Sequence, residues 1–405
     1  MIFPASGPPP GLSKIDHIVI VVQENRSFDN LFSGFPGARS ATEGRLPNGK
    51  RIRLGKVSLA APYDISHGRQ DAVTAVDRGH MDGFALEYST GASSGNPYPQ
   101  YAVVEKSQIA PYWTLARQYV LSDETFASQL DGSFVAHQFL IAGWAGQTYN
   151  YPSAMPWGCD SPSVNRVGVL DGAGHPAGLL FPCFSYRTIA SELDAAGLSW
   201  RYYAPHSGPG GLWSAFDAIE AIRHGPDWHK NVISPETRVL DDAKTGQLPS
   251  VAWVVPSNPL SDHPGSGSDR GPSWVASVVN AIGEGPDWKT TAIFVTWDDW
   301  GGWYDDVPPP HGDAFGPGIR VPLLCISPYA KAGYVDHERL EFASLLRLIE
   351  ERFALRSLGR TDLSASAPLG CFDFTSKPRA FKRIDALYRE VDVRGHANGE
   401  APDDQ

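Results

Sequence analysis

The chain has 405 residues, 42% hydrophobic and 11% aromatic, enough to bury one large α/β core or two ordinary ones. Its formal net charge of -11 argues against non-specific binding to nucleic acid or anionic membranes, which need basic surfaces. No run approaches about 18 apolar residues, so neither a transmembrane helix nor stable membrane insertion is expected.

Met1–Pro10 lacks the basic and apolar regions of a signal peptide, which fits a cytoplasmic protein or a processed secreted or periplasmic form. Residues 1–14 read as a flexible leader. Asp16–Val22 is an apolar, β-branched run and predicts a buried strand, with Glu24 and Asn25 just past its end and a short helix following. Asn25-Arg26-Ser27 matches a glycosylation sequon, but by chance if it ends a core strand. Residues 33–110 are rich in Gly, Pro, Ser and Asn and predict an irregular excursion that carries His67. A helix over 111–119 leads into a strand over 119–122. Ser133 follows Asp131-Gly132 and opens an apolar segment of helical length. Locally it reads as a helix cap, and the same place is where a phosphate binds.

Residues 145–185 form a second loop-rich insertion. A helix over 188–196 and a strand over 198–203 lead to His206, and a helix is expected over 213–224. The strand over 250–255 runs into a loop with Asp262 and His263. A helix over 273–282 stops, like the previous one, at Gly-Pro-Asp-Trp, read as a terminator. Ala292–Thr296 is the next strand, and it ends in Asp298-Asp299 and Gly301-Gly302. A strand over 319–327, a helix over 338–353 and a short helix near 380–391 complete the pattern.

Strands alternate with helices, so the class is α/β with a mostly parallel central sheet flanked by helices. No interior linker breaks it, which predicts a single domain over 1–405 with insertions at 33–110 and 145–185 and a tail over 355–405. Four cysteines allow three pairings; Cys159 with Cys183 is the one expected from shared location, and Cys325 lies in an apolar strand as a buried thiol.

Polar groups thus gather past strand ends: Glu24 and Asn25, His206, Asp262 and His263, Asp298 and Asp299, with His67 and Ser133 on adjoining segments. Adjacent carboxylates repel. Alone, Asp298-Asp299 reads as a solvated acidic turn. The second polar strand end and the aromatic frame of Trp297, Trp300, Trp303 and Tyr304 favour a bound cation. Carboxylate and amide oxygens suit a hard divalent ion, Ca²⁺, Mg²⁺ or Mn²⁺. A hydroxyl and histidines beside such an ion suit phosphoryl transfer. There is no GxxxxGK[ST] loop or HExxH motif.

The segments Ile18–Asp29, His67 with Met81–Phe84, Gly132-Ser133, Ser261–Pro264 and Trp297–Asp305 with Val307–Pro310 together resemble the bacterial phospholipase C/acid phosphatase phosphoesterases of the alkaline-phosphatase-like superfamily. The resemblance spans about 15–350. It implies that Glu24, Asn25, Asp298 and Asp299 hold one metal ion, with Zn²⁺ or Fe also open in this superfamily. It implies that Ser133 is a metal-contacting nucleophile forming a phosphoserine, and that Asn25, His67, His206 and His263 surround the phosphate. His206 has the least distinctive flanks. The family's Gly-Pro-Thr-x-Pro-Asn segment here reads Asp131-Gly-Ser-Phe-Val-Ala136, and its Tyr-Asp-His-Val reads Tyr304-Asp-Asp-Val307. The implied substrate is a phosphate ester, either a phospholipid diester cleaved as by a phospholipase C or a monoester cleaved as by an acid phosphatase. Sulfate-ester hydrolysis is disfavoured because no C/S-x-P-x-R segment is present. A non-catalytic lipid- or carbohydrate-binding module, using exposed Trp and Tyr, is the non-enzyme alternative.

Overall fold

The computed structural model describes residues 8–90, 96–205, 211–310, 312 and 314–397. An eight-stranded sheet forms its centre. In chain order the strands are β1 (His17–Gln23), β2 (Val120–Ser122), β3 (Trp200–Tyr203), β4 (Val232–Ile233), β5 (Val251–Val254), β6 (Thr291–Trp297), β7 (Leu323–Ile326) and β8 (Tyr334–Asp336). In space they run β4-β3-β5-β1-β6-β7-β2-β8. Only β7 runs against its neighbours; the other pairings are parallel. The expected mostly parallel α/β sheet is therefore present.

The apolar runs dictate this arrangement. β6 is buried at every position and β1 at all but His17, as strands are when helices cover both faces of a sheet. The two are paired in register from His17 opposite Thr291 to Gln23 opposite Trp297, so they end level. Whatever follows Gln23 must lie beside whatever follows Trp297. The helices that matter for the site are α1 (Phe28–Phe32), α2 (Ala110–Gln118), α3 (Ser133–Ala142), α4 (Gly271–Glu284) and α5 (Phe342–Phe353). All ten residues of α3 are buried, so it is a core helix, and it packs against α5.

The excursions are more ordered than their composition suggests. Residues 33–110 contain a helix over Arg69–Val76 and several short paired strands. Residues 145–185 contain a three-stranded antiparallel sheet. Cys159 and Cys183 are bonded across that insertion, as expected, and Cys325 is a buried free thiol.

Three expectations are corrected. The helix over 213–224 is broken into Ala215–Ala218 and Glu220–Arg223. Between them Ile219 is extended, because the flanking Ala218 carbonyl and Glu220 N–H bond to the Phe184 backbone instead of closing helical turns. The helix near 380–391 shrinks to Glu390–Arg394. The Asn280 side chain grips both the N–H and the carbonyl of Ile384, which holds that stretch non-helical. The two Gly-Pro-Asp-Trp segments do follow helices, but each also starts a new turn, Asp227–Asn231 and Pro286–Thr290. Proline's fixed φ suits a first turn. Among the described residues no helix is long and apolar enough to cross a membrane.

Candidate active site

The level ends of β1 and β6 bring Glu24, Asn25, Asp298 and Asp299 together, all fully buried. The Asp298 N–H donates to the Gln23 carbonyl at 3.0 Å, and the Asn25 N–H donates to Asp298 Oδ1 at 2.9 Å. The Gly301 N–H donates to Asp299 Oδ1 at 2.7 Å. Gly301 has φ +59°, and a Cβ there would stand 2.1 Å from the Asn25 carbonyl oxygen. Only glycine fits this turn.

Ser133 is the first residue of α3, just past the Gly132 cap. Its hydroxyl lies 3.0 Å from Asp299 Oδ2 and 3.4 Å from Asn25 Oδ1. Asp131 fixes the approach: one carboxylate oxygen accepts from the Gly132 and Asn150 N–H groups at 2.9 and 2.8 Å. Burial pushes the Asp131 carboxyl up to about 6, and those two N–H groups oppose the rise. The fully packed α3 then leaves the Ser133 side chain little room to stray.

Asn25 Nδ2 is 2.8 Å from His67 Nε2. His67 Nδ1 is 2.6 Å from the Ile65 carbonyl, and His263 Nδ1 is 2.5 Å from the Pro264 carbonyl. A carbonyl only accepts, so each Nδ1 carries a proton. The rings are thereby oriented, with centroids 6.2 Å apart. His206, expected beside them, lies outside the described residues. Asp262, grouped with the site from its position, turns elsewhere: its Oδ2 accepts from Tyr112 and Trp297 at 2.8 and 2.9 Å. Burial raises that carboxyl to about 6, against the pull of Arg26. It anchors the His263 loop to the sheet.

A cavity of about 210 Å³ opens beside Ser133, lined by His67, Gly132, Phe134, Asn150 and Tyr151 among others. The aromatic frame does not line an open surface: Trp297, Trp300, Trp303 and Tyr304 are all buried. A module binding ligand through these rings does not fit that burial.

Sequence reasoning missed one buried residue. His137 Nε2 lies 3.0 Å from Glu24 Oε1 and 3.9 Å from Asp298 Oδ2. Its one signal is a spacing of four from Ser133, which puts both on one face of α3. The donor set suits a cation. Glu24, His137 and Asp298 each offer an atom within 4.8 Å of the others, and the fully buried Asp298 Oδ2 accepts no hydrogen bond among the described residues. A second acidic group, Asp29, Asp305 and Asp306, is already met by the buried Arg320.

Residues 15–356 match the Phosphoesterase family. A non-hemolytic phospholipase C of Burkholderia pseudomallei is 27% identical, over 89% of this chain and 58% of that protein. Phospholipase C B of Mycobacterium tuberculosis is 26% identical, over 94% of this chain and 83% of that protein. The chain therefore spans little more than half of the first relative. Among solved structures, the phosphonate monoester hydrolase SpPMH from Silicibacter pomeroyi superposes with a TM-score of 0.35 at 10% identity, over 68% of this chain and 73% of that one, too distant to inform the site. On the match across 15–356, the chain belongs to the Phosphoesterase family of hydrolases acting on phosphoric ester bonds.

Proposed function

We propose that this chain is a metal-dependent phosphoesterase of phospholipase C type, cleaving phosphodiesters with Ser133 as nucleophile. The observation that carries the reading is the Ser133 hydroxyl, buried at the N-terminus of a ten-residue helix and 3.0 Å from Asp299 Oδ2. A divalent cation held by Glu24, Asn25, Asp298 and Asp299, within reach of Ser133, would offset the negative charge that builds on the phosphoryl oxygens.

The residues supply the rest. The Ser133 hydroxyl donates to Asp299 Oδ2, which points its proton away from the phosphorus and is placed to take it. Attack forms the Ser133 O–P bond and breaks the P–O bond to the leaving alcohol, which takes up a proton. A monoester leaves phosphoserine; a diester leaves Ser133 bearing the phosphoryl group with its second alcohol still attached. Water then attacks the phosphorus and Ser133 regains its proton. The N–H groups at the start of α3 face the phosphoryl oxygens. Asn25 is oriented by His67, and His263 sits across from it. His67, His263 and His206 surround the phosphate in this reading.

The 145–185 insertion supports a lipid substrate. It exposes Met155, Leu179, Leu180 and Phe181 and supplies Tyr151 to the cavity. The small cavity suits a monoester equally well, so the acid-phosphatase reading stands as the alternative. Hydrolysis of p-nitrophenyl phosphorylcholine and of p-nitrophenyl phosphate separates them. We expect faster turnover of the choline diester and a loss of about 10⁴-fold or more in Ser133→Ala with both substrates. Faster monoester turnover, also lost in Ser133→Ala, makes it a phosphatase. Full activity in Ser133→Ala overturns the mechanism.

A further inference from the structure

Helix α3 sends two polar side chains toward the strand ends, one turn apart. Ser133 meets Asn25 and Asp299; His137 meets Glu24 and Asp298. The rest of the segment is apolar, Phe134, Val135, Ala136, Phe139, Leu140 and Ile141, except Gln138, whose amide is bonded to the Ala215 carbonyl and the Tyr186 hydroxyl. An imidazole that is 1% exposed in such a helix needs a polar destination, and its destination is the carboxylate pair. One ligand atom from each of Glu24, His137 and Asp298 lies within 4.8 Å of the others. Donors around one first-row ion stand about 2.0–2.2 Å from it, so a slight contraction brings all three into contact with a single ion. Asp298 Oδ2 is buried and accepts no hydrogen bond among the described residues, a costly state unless a cation meets it.

We propose that His137 is a nitrogen ligand of the active-site cation, which makes the site selective for Zn²⁺ or Fe²⁺ over Mg²⁺ and Ca²⁺. The inference rests on the metal-dependent reading above and sharpens it. Carboxylate, carbonyl and water oxygens alone suit Mg²⁺ and Ca²⁺; adding an imidazole moves the preference to borderline transition ions. The oxygen ligands inferred from the strand ends would favour the hard ions. One residue on a third element reverses that preference.

The rival role for His137 is to donate a hydrogen bond to Glu24 and merely orient it. His137→Gln keeps an N–H donor and removes the imidazole, so it separates the two. The experiment titrates metal-free wild type and His137→Gln with Zn²⁺ and Mg²⁺ by calorimetry. It also records the proton NMR spectrum of the Co²⁺-loaded proteins. We expect Zn²⁺ affinity to fall about 100-fold in His137→Gln while Mg²⁺ affinity changes less than about threefold. We also expect a strongly shifted, exchangeable imidazole N–H resonance in Co²⁺-loaded wild type that the variant lacks. An equal loss for both ions overturns the inference and leaves His137 a positioning residue. Co²⁺ binding to wild type without that resonance overturns it independently of how the variant folds, and leaves the metal-dependent reading standing. Wild type that binds none of these ions overturns both.

Discussion

Asn25 sits at φ +59°, a left-handed conformation that asparagine tolerates better than most residues. That conformation ends β1 sharply and lets the carboxamide bridge, with Oδ1 toward Ser133 and Nδ2 toward His67. The backbone and side-chain roles are separable. Asn25→Gly keeps the backbone at ease and removes the bridge, so it should melt close to wild type while turnover falls about 100-fold. Asn25→Ala should lose the same turnover and also about 1 kcal/mol of stability, from strain. Thermal melts with initial rates on a p-nitrophenyl ester check both; wild-type turnover in Asn25→Gly would remove the carboxamide from the machinery. Glu24, Asn25, Asp298 and Asp299 were legible in the sequence because each pair interrupts an apolar run at its carboxyl end. His137 was not, because it sits beside Gln138 within a mostly apolar helix, and only the fold shows that it faces Glu24 and Asp298. Asp262 misled for the opposite reason: its loop position marks a site, but its side chain serves Tyr112 and Trp297.

Elements were legible where burial alone decides them. β1, β6 and α5 fall close to their apolar runs. The helices expected over 213–224 and 380–391 fail where a distant residue, Phe184 or Asn280, takes the backbone hydrogen bonds. Helix α5 also carries a pH-dependent cost. Glu350 is buried on it; burial first, then the neighbouring Asp362, pushes its carboxyl up to about 8. Its Oε1 accepts from the Leu358 N–H, and its Oε2 accepts no hydrogen bond among the described residues. Because the folded value is raised, the folded state holds the proton that the unfolded chain has released. Stability is therefore present below the ordinary value of 4.5 and is lost as pH rises from there through about 8. Glu350→Gln should raise the melting temperature more at pH 8 than at pH 5. An equal gain at both values would show that Glu350 does not titrate in this window.

The whole molecule carries a net charge of -11, and buried carboxylates gather at the carboxyl ends of the two central strands. A cation that binds only the folded chain stabilises it by mass action, about 2.7 kcal/mol at a hundredfold excess over Kd. Removing divalent ions with a chelator should therefore lower the melting temperature by several degrees, and excess divalent metal should restore it; an unchanged melt would contradict a resident metal. The α/β class was legible from the alternation of strands and helices. The strand order was not, because chain order places β1 far from β5 and β6, and only the register of β1 with β6 explains why Asn25 and Asp298, 273 residues apart, share a site.

The most direct test of the account is to stop the reaction in acid during turnover and identify the modified residue by peptide mass spectrometry. With Ser133 as nucleophile, p-nitrophenyl phosphate leaves a phosphoryl group on Ser133 and p-nitrophenyl phosphorylcholine leaves phosphorylcholine on the same oxygen. Steady turnover with Ser133 unmodified at every quench time, together with retained activity in Ser133→Ala, would contradict it.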